Sequence, residues 1–188
     1  MKKHKTKELV EIALLAALLC VITPFTLPVP GSPVPLSLAT FGVYLAALLL
    51  GAKQGVLCVL VYLLLGMVGL PVFSGFSGGI GVLLGPTGGY LVGYVPCAWV
   101  LGVLIQAGKS DVNRKNFAYT VLAMVAGTLM CYLTGTAWFV IAMGETYTVI
   151  QAIAVCVVPY LLFDAIKIVL AAVTAIPIQK ILRRMEQR

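Results

Sequence analysis

Residues 117–143 read FAYTVLAMVAGTLMCYLTGTAWFVIAM, a stretch without a single charged side chain. It is longer than the roughly 20 apolar residues that a helix needs to cross a bilayer. The whole chain has the same character: of its 188 residues, 61% are hydrophobic and 10% are charged, against about 25% charged in an average soluble domain. The composition therefore predicts an all-α membrane protein. It excludes an ordinary soluble domain, a disordered chain and a module with a basic groove for nucleic acid.

Apolar runs separated by turn signals predict six transmembrane helices. We place them at residues 9–23, 36–50, 55–68, 86–106, 117–143 and 149–183. Residues 51–54 have the composition of a tight turn. Pro159 and Pro177 predict kinks in the last helix, because proline lacks the N–H that a helix needs and clashes with the preceding turn. The sequence shows no linker and no internal repeat, so residues 1–188 are expected to form a single domain.

Basic residues occur only on alternate connections between these helices. They lie in the N-terminal tail, at Lys53, in the connection at 107–116 and at the C-terminus, whereas the other connections carry no basic residue. Cytoplasmic loops of membrane proteins carry the excess of Lys and Arg. The pattern predicts that both termini are cytoplasmic, and the basic tail is expected to flank a retained first helix rather than a cleaved signal.

Two of the predicted outer loops have an unusual composition. Residues 24–35 contain five prolines, and residues 69–85 contain six glycines and no charge. Irregular backbone is tolerated at membrane depth where it is buried in protein or lines a cavity. We therefore expect the two loops to cap an outward-facing pocket, with simple packing at the membrane interface as the alternative.

Two charged residues, Asp164 and Lys167, lie well inside a predicted span. A charge at the centre of a membrane helix costs about 2.5–3.5 kcal/mol on insertion scales, and such residues usually serve a function. Their spacing puts them on one helix face, with Tyr160 one turn earlier. Three interpretations remain open: a self-neutralising pair, a proton relay, or a ligand site. An acceptor beside a donor would suit a neutral urea or amide.

Signals for an enzyme or a cofactor are weak. Residues 75–79 read GFSGG and fit the G-x-S-x-G pattern of serine hydrolases. However, the single histidine, His4, lies in the opposite tail, so Ser–His catalysis is not available. No phosphate-binding loop is present, so any ATP-driven step would need other subunits. The five cysteines are far apart and indicate neither a metal site nor a disulfide framework. The sequence therefore predicts no enzyme, no cofactor and no metal.

Four motifs occur together in this chain: VPGSPVPLSLATF at 29–41, GLPVFSGFSGG at 69–79, GPTGGYL at 85–91, and Asp164 three residues before Lys167. In this order the sequence resembles the BioY family, the biotin-binding substrate subunits of energy-coupling-factor (ECF) transporters. The resemblance implies a six-helix subunit in the plasma membrane of a prokaryote, with a pocket formed by helices four to six. It also implies a transmembrane coupling subunit and two cytoplasmic ATPase subunits as partners. Ala13 and Ala17 fall where the family keeps its docking motif.

The resemblance also suggests roles for individual residues. Asp164 and Lys167 would bind the ureido head of biotin, and aromatic side chains would hold its apolar parts. The carboxylate would lie nearer the outer loops. The residues expected at this site are Ser32, Phe73, Ser74, Phe76, Ser77, Tyr90 and Tyr160. The alternative function is a self-sufficient carrier for a small neutral or anionic metabolite that uses Asp164 as its proton-coupled site.

Overall fold

The computed structural model describes residues 2–108, 116–144 and 146–186, which are mostly helical. The connection at 109–115 and its basic residues lie outside the described part of the chain. In chain order the elements are α1 (Lys2–Ile22), β1 (Thr26–Leu27), β2 (Leu36–Ser37), α2 (Ala39–Met67), α3 (Ile80–Leu84), α4 (Gly88–Ala107), α5 (Phe117–Met143), α6 (Val149–Cys156), a 3₁₀ turn (Val158–Tyr160) and α7 (Leu161–Glu186).

Four segments of the described chain are long and apolar enough to cross a membrane: Ala39–Met67, Gly88–Ala107, Phe117–Met143 and Val149–Gln179. The sequence predicted six, and the difference has two physical causes. The first half of α1 carries charged side chains, among them Lys7 and Glu11, whose Nζ and Oε1 atoms lie 3.7 Å apart. The second cause is that two predicted helices, which meet at Gly51 without an intervening loop, together make up the segment Ala39–Met67, and each alone is shorter than a full span.

The chain reverses direction within α2, at Gly51. This residue has φ 79° and ψ −172°, a backbone conformation that glycine adopts without a steric penalty. A Cβ placed on Gly55 would lie 3.0 Å from the Cα of Ala47, whereas eight residues of continuous helix would separate these positions by about 12 Å. Residues 39–50 and 52–67 therefore pack as an antiparallel pair. The turn predicted at 51–54 is confirmed at Gly51, whereas residues 52–54 are already helical.

The two unusual loops are in contact with each other. We call residues 24–35 the proline-rich loop and residues 69–85 the glycine-rich loop. The Gly75 N–H donates to the Pro24 carbonyl over 3.0 Å. The rings of Phe25 and Phe76 pack edge to face, with centroids 5.4 Å apart.

Because short elements form in and next to these loops, two helices begin later in the chain than the sequence predicted. β1 and β2 pair antiparallel, with Thr26 opposite Ser37, so α2 begins at Ala39 rather than at residue 36 and the described chain is not purely α-helical. The glycine-rich loop contains the single-turn helix α3. A further turn at residues 86–87 places the start of α4 at Gly88 rather than at residue 86.

The last predicted helix is broken at Pro159. Because proline has no N–H, α6 ends at Cys156, and a 3₁₀ turn precedes α7. The helix predicted over 149–183 is therefore interrupted at the proline where a kink was predicted, and the break is larger than a kink, although Val149–Gln179 still forms one segment long enough to cross a membrane. Pro177, by contrast, lies inside α7, which continues through it. The break makes Asp164 a residue of the first turn of α7.

Candidate functional site

Asp164 and Lys167 form an ion pair inside the protein. Lys167 Nζ lies 2.9 Å from Asp164 Oδ1. The exposed fractions of the two residues are 5% and 7%, so α7 turns them away from the lipid-facing surface. The predicted shared face of the two side chains is thus confirmed. Because the pair is buried, every remaining donor and acceptor in it needs a partner.

Two hydroxyl groups from other helices complete this cluster. Thr40 Oγ1 in α2 donates to Asp164 Oδ1 over 3.3 Å and accepts from Lys167 Nζ over 3.2 Å. The Tyr132 hydroxyl in α5 donates to Asp164 Oδ2. We call Thr40, Tyr132, Asp164 and Lys167 the charged network. Thr40 and Tyr132 were not among the site residues predicted from the sequence.

The charged network keeps some hydrogen-bonding capacity in reserve. A carboxylate has about four acceptor positions and an ammonium has about three donors. The contacts above use three of those acceptor positions on Asp164 and two of those donors on Lys167. One acceptor position on Asp164 Oδ2 and one donor on Lys167 Nζ remain. This arrangement can bind an N–H and a carbonyl of the same neutral ligand group.

A cavity of about 200 Å³ lies between the two loops and the start of α4. Both serines predicted in the glycine-rich loop, Ser74 and Ser77, line it, as does Tyr90. Its other polar side chains are Ser37, Thr87 and Tyr94. Neither Asp164 nor Lys167 lines this inner cavity, but Ser37 also lines the neighbouring groove that contains Lys167, so Ser37 links the inner cavity to the charged network. Ligand sites combine apolar walls with a few placed polar groups, and the inner cavity has that composition.

A larger groove of about 620 Å³ runs between the two loops and α7. It contains Lys167 and the predicted Phe76, but its remaining walls are almost entirely apolar, with Phe163, Ile166 and Leu170 on the α7 side. These three side chains are exposed on the surface of the protein. The inner cavity has the larger share of polar side chains, whereas the groove contributes the charged group of Lys167. A ligand with a polar head and a polar tail can therefore use both, with its head at Lys167 and its tail in the inner cavity.

Other predicted site residues have structural contacts instead. The Tyr160 hydroxyl donates to Ser32 Oγ over 2.9 Å and also to the Val34 carbonyl, so Tyr160 and Ser32 tie the proline-rich loop to the start of α7. Phe73 is completely buried against Tyr62, with ring centroids 5.6 Å apart. Phe73 lines neither the cavity nor the groove.

The two alanines predicted to dock a partner lie on the surface of α1. Ala13 and Ala17 are exposed, whereas Ala16 between them is buried against the rest of the protein. Small side chains allow a second helix to approach closely.

The described residues contain no candidate metal site. In residues 2–108, 116–144 and 146–186, no three His, Cys, Asp or Glu side chains lie close enough to hold an ion.

The described residues form apolar helices long enough to cross a bilayer and bury the Asp164–Lys167 pair between them, which defines a membrane-integral helical protein. Residues 1–184 match the BioY family, and the chain belongs to that family. It is 39% identical over 175 residues to the biotin transporter BioY of Thermotoga maritima, covering 93% of this chain and 97% of the relative. It is 33% identical over 174 residues to the biotin transporter BioY of Rhizobium etli, with 89% and 90% covered.

A solved structure with the same fold agrees with this assignment. The crystal structure of the S-component for biotin from an ECF-type ABC transporter superposes with a TM-score of 0.87. It is 25% identical in sequence and covers 96% of this chain and 94% of its own. The family and these relatives are transporters by name, which agrees with the prediction that the chain is not an enzyme.

Proposed function

We propose that this chain captures biotin at the outer face of a prokaryotic plasma membrane and delivers it through an ECF-type transporter. Family membership and the names of the relatives support this role. The observation that carries the proposal is the free donor and acceptor of the buried Asp164–Lys167 pair, whose Lys167 lines the groove that shares Ser37 with the inner cavity. ATP hydrolysis would come from two cytoplasmic ATPase subunits, through a transmembrane coupling subunit.

In the proposed complex the ureido head of biotin lies against the charged network. One ring N–H donates to Asp164, and the ring carbonyl accepts from Lys167. Each charge-assisted hydrogen bond of this kind contributes about 1.5–3 kcal/mol net. A neutral urea satisfies both partners without bringing a further charge into the dry site, whereas a bare carboxylate would oppose Asp164.

The apolar rings and valeryl chain then extend through the inner cavity towards the loops. Tyr90 provides an apolar wall, and its hydroxyl is already bonded to Thr136 over 3.1 Å. The tail carboxylate would lie at the hydroxyls of the glycine-rich loop. Ser77 Oγ donates to the Ser74 carbonyl over 2.8 Å, so Ser77 must rotate to bind the tail, and Ser74 is the more available donor.

For the membrane topology we propose six crossings by a single domain, residues 1–188, with both termini in the cytoplasm. The reversal of α2 at Gly51 supports this count, because residues 39–50 and 52–67 run in opposite directions. Each of these segments is shorter than the roughly 20 residues of a full span. The proline-rich loop before the first segment and the glycine-rich loop after the second would therefore lie at membrane depth, where they must be buried in protein or line a cavity.

The proposed function predicts that the purified chain binds biotin without partners and without an ion gradient. Titration of the chain in detergent should give saturable 1:1 binding with a Kd below about 1 µM, or about −8 kcal/mol. Lipoic acid, which has the same valerate tail but no urea, is the matched control and should bind far more weakly. Binding that appears only in vesicles with a proton gradient would contradict the proposal and favour the self-sufficient carrier.

A further inference from the structure

The two oxygens of Asp164 have different partners. Oδ1 accepts from Lys167 and Thr40, whereas Oδ2 accepts from Tyr132. These donors come from α7, α2 and α5, so three helices fix the plane of one carboxylate. Tyr132 is the only described donor to Oδ2, and its removal would free that oxygen without disturbing the Asp164–Lys167 contact.

We propose that Tyr132 is a positioning residue that sets the head-group selectivity of the site, an inference that rests on the proposed function. Lys167 and Thr40 use both acceptor positions of Oδ1, and Tyr132 uses one of the two on Oδ2, so one position on Oδ2 is left for the ligand. That position is sufficient for one N–H of a neutral urea. It is insufficient for a guanidinium, whose two parallel N–H groups need two acceptor positions on the carboxylate.

Thr40 supports the same selectivity from the other side of the pair. Its oxygen accepts from Lys167 Nζ while its hydrogen is directed to Asp164 Oδ1. This contact holds the ammonium beside Oδ1, where its remaining N–H can meet a carbonyl. A ligand with an imino group in place of that carbonyl loses the acceptor and, when protonated, is repelled by Lys167. Thr40 and Tyr132 together therefore adapt the buried pair to a neutral urea.

The test compares biotin with iminobiotin, its protonated cyclic guanidine analogue, on the full-length chain in detergent. Tyr132→Phe removes one hydroxyl, and Tyr62→Phe is the matched control, because it removes a buried tyrosine hydroxyl that makes no hydrogen bond to the charged network. Tyr132→Phe should weaken biotin about tenfold. It should also lower the ratio of the iminobiotin Kd to the biotin Kd at least about tenfold, because the freed Oδ2 accepts a second N–H. Tyr62→Phe should change neither value.

A purely structural role for Tyr132 would weaken both ligands by one factor, so an unchanged ratio in Tyr132→Phe overturns the inference. A wild-type chain that binds both ligands equally well also overturns it, and that measurement needs no variant. These outcomes differ from failure of the proposed function, in which the wild-type chain binds neither ligand and both conclusions fall together.

Discussion

Replacing Asp164 by Asn is expected to weaken biotin binding at least about tenfold, which is about 1.4 kcal/mol. The amide has the size of the carboxylate but removes the negative charge that Lys167, Thr40 and Tyr132 surround. It also presents a donor where the ligand needs an acceptor. Isothermal titration of the purified variant with biotin measures the loss, after size-exclusion chromatography has confirmed that the variant is folded.

Glu11→Gln is the matched control for Asp164→Asn. It makes the same acid-to-amide change in α1, at a partly exposed side chain whose described partner is Lys7. We expect this control to bind biotin like the wild type. If Asp164→Asn also binds like the wild type, the carboxylate does not contact the ligand and the proposed site is wrong.

The second large effect concerns assembly rather than ligand binding. Ala13→Trp combined with Ala17→Trp should abolish co-purification with the coupling and ATPase subunits while leaving biotin binding by the isolated chain unchanged. Both alanines are exposed on α1, so the large rings fit without disturbing the protein interior. They would prevent a partner helix from making the close approach that small residues permit.

Leu129→Trp with Leu133→Trp is the matched control for the alanine pair. It introduces two indoles at the same spacing on α5, where both leucines are exposed, and assembly should persist. Normal assembly of the alanine variant, or loss of biotin binding with assembly preserved, would show that α1 does not dock the partner through this face.

Asp164 and Lys167 could be located from the sequence because charge within an apolar helix is costly and must face the interior. Thr40 and Tyr132 could not be located in this way. The chain has eight tyrosines, and a hydroxyl in an apolar helix carries no comparable signal. Only the packing of α2 and α5 against α7 determines which hydroxyls reach Asp164. Half of the charged network was therefore predictable, and the other half depends on tertiary structure.

Tyr160 shows that the spacing of two residues in the sequence does not by itself determine whether their side chains meet. Its position four residues before Asp164 predicted a shared helix face, but Pro159 breaks the helix and places Tyr160 in a 3₁₀ turn. Its hydroxyl consequently bonds to the proline-rich loop rather than to Asp164. The reversal at Gly51 was predictable for the opposite reason, because a glycine in a short polar interruption permits a left-handed φ.

The central claim is that the buried pair binds the ureido head and the loops receive the tail. The most direct measurement is the affinity of the wild-type chain for two biotin derivatives, one methylated at a ureido nitrogen and one amidated at the tail. The account predicts a loss of about 100-fold or more, about 2.7 kcal/mol, for ureido methylation, and a much smaller loss for tail amidation. Binding abolished by tail amidation and unaffected by ureido methylation would contradict it.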